Sequence, residues 1–507
     1  MKSSLVMLII LLIFGINSQF LRNLQSPPEN GGTPPSGEPP SGEPPSGNNG
    51  VGGSSSNTYD YTNYQAVSTN ENLSNSEKIS TTSDQSVVYI TESGKTITDS
   101  TITKESGVSS NIENSEFFGV NAAVLVQGGG LTISGGTINT KAQGANALCV
   151  TNQGTVTITG TTITSTGESS ARGLHATYGG TITAVRVTVS STGGSCATLA
   201  TDRGEGTVTC SGCILSTEGS GSPLIYSTGV IKVTDNTEGT ATRAQAVVVE
   251  GKNSATVENS NLKCNGIGNR NNVDKCGVML YQSMSGDADS GTSTFNCKSS
   301  TIEILSQSDV YSTAPMFFIT NTDAEINLES CTFTYGSNIF LSSAGTSEWG
   351  SSGTNGGVVT LNVKNQQIIG NFEVDSNSGL TIKLSENSSL KGTINSAKTA
   401  AKLNIILDST SSIELTGNSC YTSIQNANNE GTNIINGTFT WSKTEEKEIS
   451  RPSGGQNGNQ QNPQSPPNQS NQSNQSSPSD TTTGGKSNSN KISFDLFMLL
   501  LTILIIF

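Results

Sequence analysis

A short pattern of alternating residues recurs at a nearly constant spacing along the middle of the chain. Within residues 155–167, Val156 and Ile158 alternate with threonines, and Ile163 is the next apolar position after a bend at Gly160. Equivalent apolar residues stand at Ile138, Ile163, Val189 and Leu215, in steps of 25, 26 and 26 residues. Alternation with a period of two predicts strands with one apolar and one hydroxylic face, and a constant spacing in this range is typical of repeat architectures.

A third, apolar strand closes each repeat. These strands begin at Ala123, Ala147, Gly173, Ala197, Pro223, Ala246, Val278, Met316 and Ile339. Three strands in each coil predict an all-β fold, a right-handed parallel β-helix solenoid of about twelve coils flanked by disordered linkers, because one coil cannot bury its own apolar face. The predicted inward column contains Ile133, Ile158, Ala184, Cys210, Val233, Val257, Cys297 and Leu328. An antiparallel β-sandwich is the alternative, but it gives no reason for repeats in constant register.

Composition divides the chain into six segments. They are a secretory signal peptide (1–18), a Pro/Gly/Ser-rich disordered linker (19–58), a transition segment without a structural assignment (59–95), the β-helix domain (96–441), an Asn/Gln/Ser/Pro-rich disordered stalk (442–491) and a hydrophobic C-terminal segment (492–507). Proline and glycine keep the first linker extended, and the stalk lacks the apolar residues that a core requires. A positive residue followed by a short apolar run is typical of a cleavable signal.

The hydrophobic C-terminal segment predicts attachment to a membrane, either as a GPI-attachment signal or as a tail anchor. Small residues precede it and are the candidate GPI attachment sites: Gly484, Gly485, Ser487, Asn488 and Ser489. At this length the run is short for a membrane span, which favours a GPI signal whose tail is removed. With the signal peptide, this predicts the secreted pathway and the outer leaflet of the plasma membrane. The candidate N-glycosylation sites are Asn72, Asn387, Asn436, Asn468, Asn471 and Asn474.

Charge and cysteine content exclude some partners. The net charge is −14 and no basic cluster occurs, which argues against nucleic acid as a partner. We expect no metal and no cofactor, since His175 is the single histidine. Cys264 and Cys276 flank one long loop and are the predicted disulfide. The cysteines Cys210, Cys213, Cys297 and Cys331 fall in core or bend columns, where we expect them to act as small apolar residues.

These coils, the third strand and turn VMLYQSMSGDAD at 278–289, and the layout from signal to anchor resemble adhesin-like right-handed β-helix surface proteins with a pectate-lyase-like fold. The resemblance covers roughly residues 96–441. It implies surface display and the binding of a glycan or another surface protein, and it identifies no site residue.

Long loops at 266–275, 283–293 and 344–357 are the expected places for binding, because binding residues concentrate on loops held by a rigid scaffold. Tyr281, Met284 and Trp349 lie in or beside these loops and could supply apolar contacts, or fill the ends of coils.

Two other functions fit the same scaffold, although we expect the protein not to be an enzyme. A polysaccharide lyase or glycoside hydrolase would use Glu258, Lys298, Glu303 and Glu329. In the predicted register Glu258 and Glu329 stand about 9–10 Å apart, near the upper limit for an inverting glycosidase, but the paired-aspartate and histidine motifs of polygalacturonases are absent. An ordinary surface ladder of Glu and Lys explains these residues more simply. An ice-binding solenoid is the third option, because T-x-T pairs stack for about three coils: Thr155 with Thr157, Thr181 with Thr183, and Thr207 with Thr209.

Overall fold

The structure is a computed structural model of the chain, and it describes residues 58–270, 273–428 and 430–450. The chain divides into two compact units, Met1–Tyr64 and Gln65–Phe507. In the first unit, the rings of Tyr59, Tyr61 and Tyr64 pack edge to face with centroids 4.8 to 6.3 Å apart. The predicted signal peptide, the C-terminal segment, the sequons at Asn468, Asn471 and Asn474, and the candidate attachment residues at 484–489 lie outside the described residues.

In the described part of the second unit, the strands form five sheets in which every pairing is parallel. Sheet A contains Ala66–Thr69, Ser86–Ile90, Val124–Gln127, Leu148–Thr151, Leu174–Ala176, Leu199–Thr201, Ile225–Ser227, Val247–Glu250, Val278–Tyr281, Phe317–Thr320, Ile339–Ser343 and Asn371–Val374. Sheet B contains Leu73–Ser74, Lys95–Thr98, Gly130–Ser134, Thr155–Thr159, Thr181–Val185, Thr207–Ser211, Val230–Thr234, Ser254–Glu258, Thr292–Lys298, Asp323–Glu329, Val358–Lys364, Gly379–Ser385, Lys402–Leu407 and Ser423–Asn426.

The remaining strands belong to three further sheets. Sheet C contains Glu77–Ser80, Thr101–Lys104, Thr137–Thr140, Thr162–Ser165, Thr188–Ser191, Ile214–Thr217, Glu238–Ala241, Asn261–Cys264, Thr301–Ile304 and Thr332–Thr334. Sheet D contains Gln367–Ile369, Ser389–Gly392, Ser412–Leu415 and Ile434–Ile435, and sheet E contains Ser419–Tyr421 and Trp441–Lys443. The chain visits sheets A, B and C in turn, once in each coil, so the unit is a right-handed parallel β-helix, as the repeats predict.

Backbone pairing between coils confirms the predicted inward column. Ile158 pairs with Ile133 of the preceding coil and Ala184 of the following one. The same column continues through Cys210, Val233, Val257, Cys297 and Leu328. The inward residues of sheets A, B and C belong to one continuous apolar cluster inside the solenoid. A stack of coils therefore shares one core, which is what no single coil could form.

Left-handed backbone conformations make the bend between sheets B and C. Gly160 has a φ of +61°, and Arg186 and Gly212 stand at equivalent bends with φ of +51° and +62°. This region of conformational space is the one that glycine enters at no steric cost, which explains the glycines at several bends. The bend is short, so the strand before it and the strand after it keep the same register in successive coils.

The solenoid begins earlier than the sequence indicates. The segment 59–95 contains four strands of the first coils, from Ala66–Thr69 to Ser86–Ile90. Its alternation is misleading, because Val67 and Ile79 point outward and are 42% and 47% exposed, whereas the adjacent serines are buried. Because apolar residues also lie on the solvent-facing side of these strands, the alternation that predicts the later strands does not identify these.

The disulfides differ from the predicted one. The structure pairs Cys210 with Cys213 and Cys297 with Cys331, with Cα atoms 6.1 and 6.4 Å apart. These are four of the cysteines that we expected to act as unpaired apolar residues. The Cys297 bridge links two successive coils. Both bridges are geometrically possible because the bend after sheet B brings its cysteine close to a cysteine of the inward column, within the Cα–Cα distance of a disulfide.

The predicted pairing of Cys264 with Cys276 is not present. Both residues are buried free thiols. The physical reason is that the two side chains lie in different apolar clusters, Cys264 inside the solenoid and Cys276 in a layer outside it. Burial raises the pKa of Cys264 to about 12. The two cysteines flank one loop in the sequence, but one lies inside the solenoid and the other lies outside it.

A pair of substitutions tests the register. Ile158→Asp would place an unpaired charge in a fully buried column, and we expect it to lower the free energy of unfolding by several kcal/mol. Thr157→Asp, on the exposed face of the same strand, is expected to change it by less than about 0.5 kcal/mol. Thermal or chemical unfolding measures both. Equal destabilisation by the two variants would contradict the register.

Candidate functional site

The predicted catalytic carboxylates lie on the outer faces of two sheets, and each is paired with a lysine. Glu258, Lys298 and Glu329 occupy one outward column of sheet B, as the register predicts. Glu258 contacts Lys232 at 3.0 Å, and Glu329 contacts Lys298 at 3.0 Å. Such alternating charges form a surface ladder, which contributes little to stability.

Glu303 is separated from the other three. It lies on sheet C, where it pairs with Lys263 at 3.3 Å. On sheet B, the column beside the charge ladder is formed by Asn296, Asn327 and Asn362, whose side-chain amides donate to one another along the stack at 2.9 and 2.7 Å. These amides hydrogen-bond to one another along a groove of about 660 Å³ on this face.

The threonines of sheet B pair in the predicted register, and the array ends at Lys232. Thr157, Thr183 and Thr209 pair in successive coils, and Lys232 follows them in the same column. In the companion column, Thr207 is followed by Val230. The doubled array is therefore confined to three coils of one face.

The outer face of sheet A differs from the other two because a second apolar layer covers it. Its outward column runs through Leu125, Cys149, His175, Ala200, Tyr226, Val248, Met279 and Phe318. All of these except Tyr226 are buried, although they point away from the core. The sequence carries this signal, because the third strands lack polar alternation, as is typical of strands buried on both faces.

A short helix, Ile112–Phe118, covers the first part of this face. Asn111 caps its N-terminus by accepting from the backbone N–H of Glu113 at 2.9 Å. Gly119 ends it with a φ of +71°, and a Cβ atom there would lie 2.5 Å from the Cys149 sulfur, so only glycine allows this close approach. Phe118 stacks on Tyr178, with ring centroids 5.3 Å apart.

The three long loops meet over the later part of the same face and enclose a cleft of about 330 Å³. We call this the sheet A cleft. Its lining includes Glu116 and Phe117 of the helix, Asn269, Arg270 and Asp274 of the first loop, Ser283, Ser285 and Asp287 of the second, Trp349 of the third, and Tyr226, Val248 and Met279 of the sheet. The three loops that the sequence predicts as places for binding thus line one cleft. The volume lies at the lower end of the range for small-molecule sites.

Two of the three predicted contact residues lie in this cleft. Tyr281 and Trp349 line it, with ring centroids 5.2 Å apart in an edge-to-face arrangement. Both also belong to the outer apolar cluster, so they support the loop as well as lining the cleft. Met284 is 74% exposed. Its exposure makes it useful as a matched control.

A buried carboxylate occupies the sheet A cleft. Glu250 ends the strand Val247–Glu250 and is 1% exposed. Its Oε2 atom accepts hydrogen bonds from the hydroxyls of Tyr226 at 2.6 Å and Tyr281 at 2.7 Å. Burial and the nearby carboxylate raise the pKa of both tyrosines well above the usual value, so both hydroxyls keep their protons and donate. The other oxygen, Oε1, has no hydrogen-bond partner.

A second charged group in the cleft centres on Arg172. Its Nη2 atom lies 3.2 Å from both Glu116 and Asp202, while Nη1 has no partner. Burial opposes the charge on the guanidinium, but the two carboxylates outweigh it and raise the arginine pKa. Burial is the largest influence on Asp202 and, despite Arg172, raises its pKa to about 7. Asp202 is therefore a carboxyl group of the cleft that changes charge near neutral pH.

The single histidine does not activate a nucleophile. His175 Nδ1 lies 3.8 Å from the Cys149 sulfur under the helix. Burial lowers the histidine pKa well below its usual value and raises the pKa of Cys149 to about 12. A neutral imidazole beside a protonated thiol lacks the charge separation that makes a reactive cysteine.

Three of the candidate N-glycosylation asparagines lie within the described residues. Asn72, Asn387 and Asn436 are exposed.

Within residues 58–270, 273–428 and 430–450, no group of three or more acidic, histidine or cysteine side chains is arranged to hold a metal ion. In the same ranges, no helix has the length and apolar character needed to cross a membrane.

Comparisons of the chain with protein-family models, with curated proteins and with solved structures find no match. The class of the protein therefore rests on its own geometry. It is a parallel β-helix with a covered outer sheet and a cleft of ligand size between the covering loops.

The buried Asp202 predicts a pH-dependent stability. Its folded-state pKa lies above the ordinary value of 3.8, so the folded protein holds a proton that the unfolded chain releases between about pH 4 and pH 7. Stability from this group is therefore complete below about pH 4 and is lost as the pH rises to about 7, by up to roughly 4 kcal/mol. We expect the thermal midpoint of wild type to fall across this window relative to that of Asp202→Asn.

Asp408→Asn is the matched control. Although burial opposes it, hydrogen bonds from Glu386, Ser411 and Thr410 lower the Asp408 pKa to about 2, so this group does not titrate between pH 4 and pH 7. The control should follow the wild-type profile in that window. Parallel profiles for Asp202→Asn and wild type would show that Asp202 does not titrate there.

Proposed function

We propose that the protein is a binding protein displayed on the cell surface, and that its ligand is a glycan held in the sheet A cleft. The observation that carries the proposal is the cleft itself, which is lined by aromatic rings and by charged residues whose buried polar atoms have unused hydrogen-bonding capacity. Sugars present apolar C–H faces together with hydroxyl groups. Their recognition uses aromatic contact together with a few oriented polar groups.

The polar groups of the cleft are suited to hydroxylated ligands. Glu250 Oε1 offers a free acceptor and Arg172 Nη1 a free donor. Asp274 is held in place by backbone N–H groups of Asn269 and Arg270 at 3.0 and 2.9 Å. Groups that are fixed before the ligand arrives lose little entropy on binding, which favours affinity and selectivity.

Binding is a better interpretation than catalysis for the regular arrangement of charges on sheet B. Glu258 and Glu329 each have a lysine partner, and the ladder continues with Lys364 and Glu386 at 3.3 Å. A catalytic pair of carboxylates needs different environments for its acid and its base. The two glutamates instead share one repeated environment, which supports a structural role for them.

A glycan array tests the proposed function. We expect the purified protein to retain a defined set of oligosaccharides, and Trp349→Ala to weaken this binding about tenfold or more because one aromatic wall is lost. Met284→Ala is the control, since it removes an exposed apolar side chain and should leave binding unchanged. The same samples are assayed for new reducing ends. Turnover that is lost in Glu258→Gln or Glu329→Gln would overturn the proposal, as would retention that is indifferent to Trp349.

The location is a separate proposal that depends on segments outside the described residues. We expect phosphatidylinositol-specific phospholipase to release the protein from intact cells, because residues 492–507 would have been replaced by a lipid anchor after one of the small residues at 484–489. Mass spectrometry of the C-terminal peptide is the second readout. A protein that resists the enzyme and retains residues 492–507 would be tail-anchored instead.

A further inference from the structure

Glu250, a buried carboxylate of the sheet A cleft, has no positive partner among the described residues. In the described part of the chain, Glu250 takes part in no ion pair, and its Oε1 atom accepts no hydrogen bond. Two nearby arginines have carboxylate partners, whereas Arg270, which also lines the cleft, forms no ion pair within the described residues. Arg172 contacts both Glu116 and Asp202, and Arg203 contacts Asp287 at 2.7 Å. An unmatched buried carboxylate is costly unless something supplies a positive charge or a strong donor.

The surroundings of Glu250 favour a cation. The hydroxyls of Tyr226 and Tyr281 hold one carboxylate oxygen and leave the other without a hydrogen bond, and the rings of Tyr281 and Trp349 pack in an edge-to-face arrangement. Aromatic rings beside a carboxylate form the kind of environment in which ammonium groups bind. The ring of Phe117 is already occupied, since the Arg203 guanidinium lies 3.8 Å from its centroid. The rings of Tyr226, Tyr281 and Trp349 carry no such contact within the described residues, and they lie on the side of the cleft that holds Glu250.

We propose that the sheet A cleft selects a sugar that carries a free amino group, with its ammonium donating to Glu250 Oε1; this inference rests on the proposed glycan-binding function. An ammonium group offers three donors and no acceptor, which matches an oxygen that lacks a donor. Arg172 Nη1 then donates to a neighbouring hydroxyl of the same sugar. Glu116 already flanks the guanidinium, which disfavours a ligand carboxylate there. The ligand is thus an amino sugar and not a zwitterionic amino acid.

The test compares one oligosaccharide in two forms, an oligomer of glucosamine and the N-acetylated oligomer of equal length. Calorimetry at mildly acidic pH, where the free amine is protonated, measures both affinities. We expect wild type to prefer the amine form about tenfold or more. Glu250→Gln keeps an amide oxygen for the two tyrosines but removes the charge, and it should reduce the ratio of the two affinities to within about twofold.

Glu258→Gln is the matched control for charge. It removes the same charge from an acidic protein, but from the surface ladder of sheet B, where Glu258 already pairs with Lys232. This variant should keep the full preference. Loss of the preference in both variants would indicate non-specific attraction of a cation to the chain and would overturn the inference.

A measurement on the wild-type protein keeps the inference testable if Glu250→Gln does not fold. A simple alkylammonium ion should compete with the amine-bearing oligomer, and the alcohol of the same carbon skeleton should not. Equal affinity for the two oligomers, with binding that still depends on Trp349, would overturn the amine assignment and leave the glycan-binding function intact. If neither oligomer nor any other glycan binds in a manner that depends on Trp349, the proposed function itself is wrong.

Discussion

Parallel hydrogen bonding between equivalent strands of successive coils determines where every side chain of the solenoid lies. Ile158 stands between Ile133 and Ala184 because the backbone ladder holds the three strands in one register. A slip of one residue would turn the whole apolar face outward, so the register and the core depend on each other. The same ladder aligns charges and amides on the outer face of sheet B, where alternating lysines and glutamates avoid contacts between like charges.

The helix and loops that cover sheet A distinguish its outer face from the regular, solvent-facing surfaces of sheets B and C. Once the helix Ile112–Phe118 and three loops bury the outward column, polar groups beneath them lose water and must find partners or remain unsatisfied. Arg172 finds Glu116 and Asp202, and Glu250 finds two tyrosines for one oxygen only. The raised pKa of Asp202 and the open oxygen of Glu250 are both consequences of this loss of water.

Sequence reasoning located the region of the cleft but not its charged groups. Loops at 266–275, 283–293 and 344–357 were recognisable because they interrupt the repeat, and Tyr281 and Trp349 stood out as aromatic residues beside them. Arg172, Asp202 and Glu250 come from three different coils, and no local pattern connects them. The carboxylates that the register did align, Glu258 and Glu329, lie on a face where lysines neutralise them.

The sequence by itself determined the coil, its register and the continuous inner core, because a period of two within a constant repeat leaves one way to bury the apolar residues. Only the tertiary structure decided the disulfides, the first coils and the cleft. Cys264 and Cys276 are close in sequence but lie in different apolar clusters, and Val67 and Ile79 are apolar but face solvent. In each case, whether a residue is buried depends on which face of the β-sheet is covered by segments that are remote in sequence. The local alternation of apolar and polar residues does not encode this.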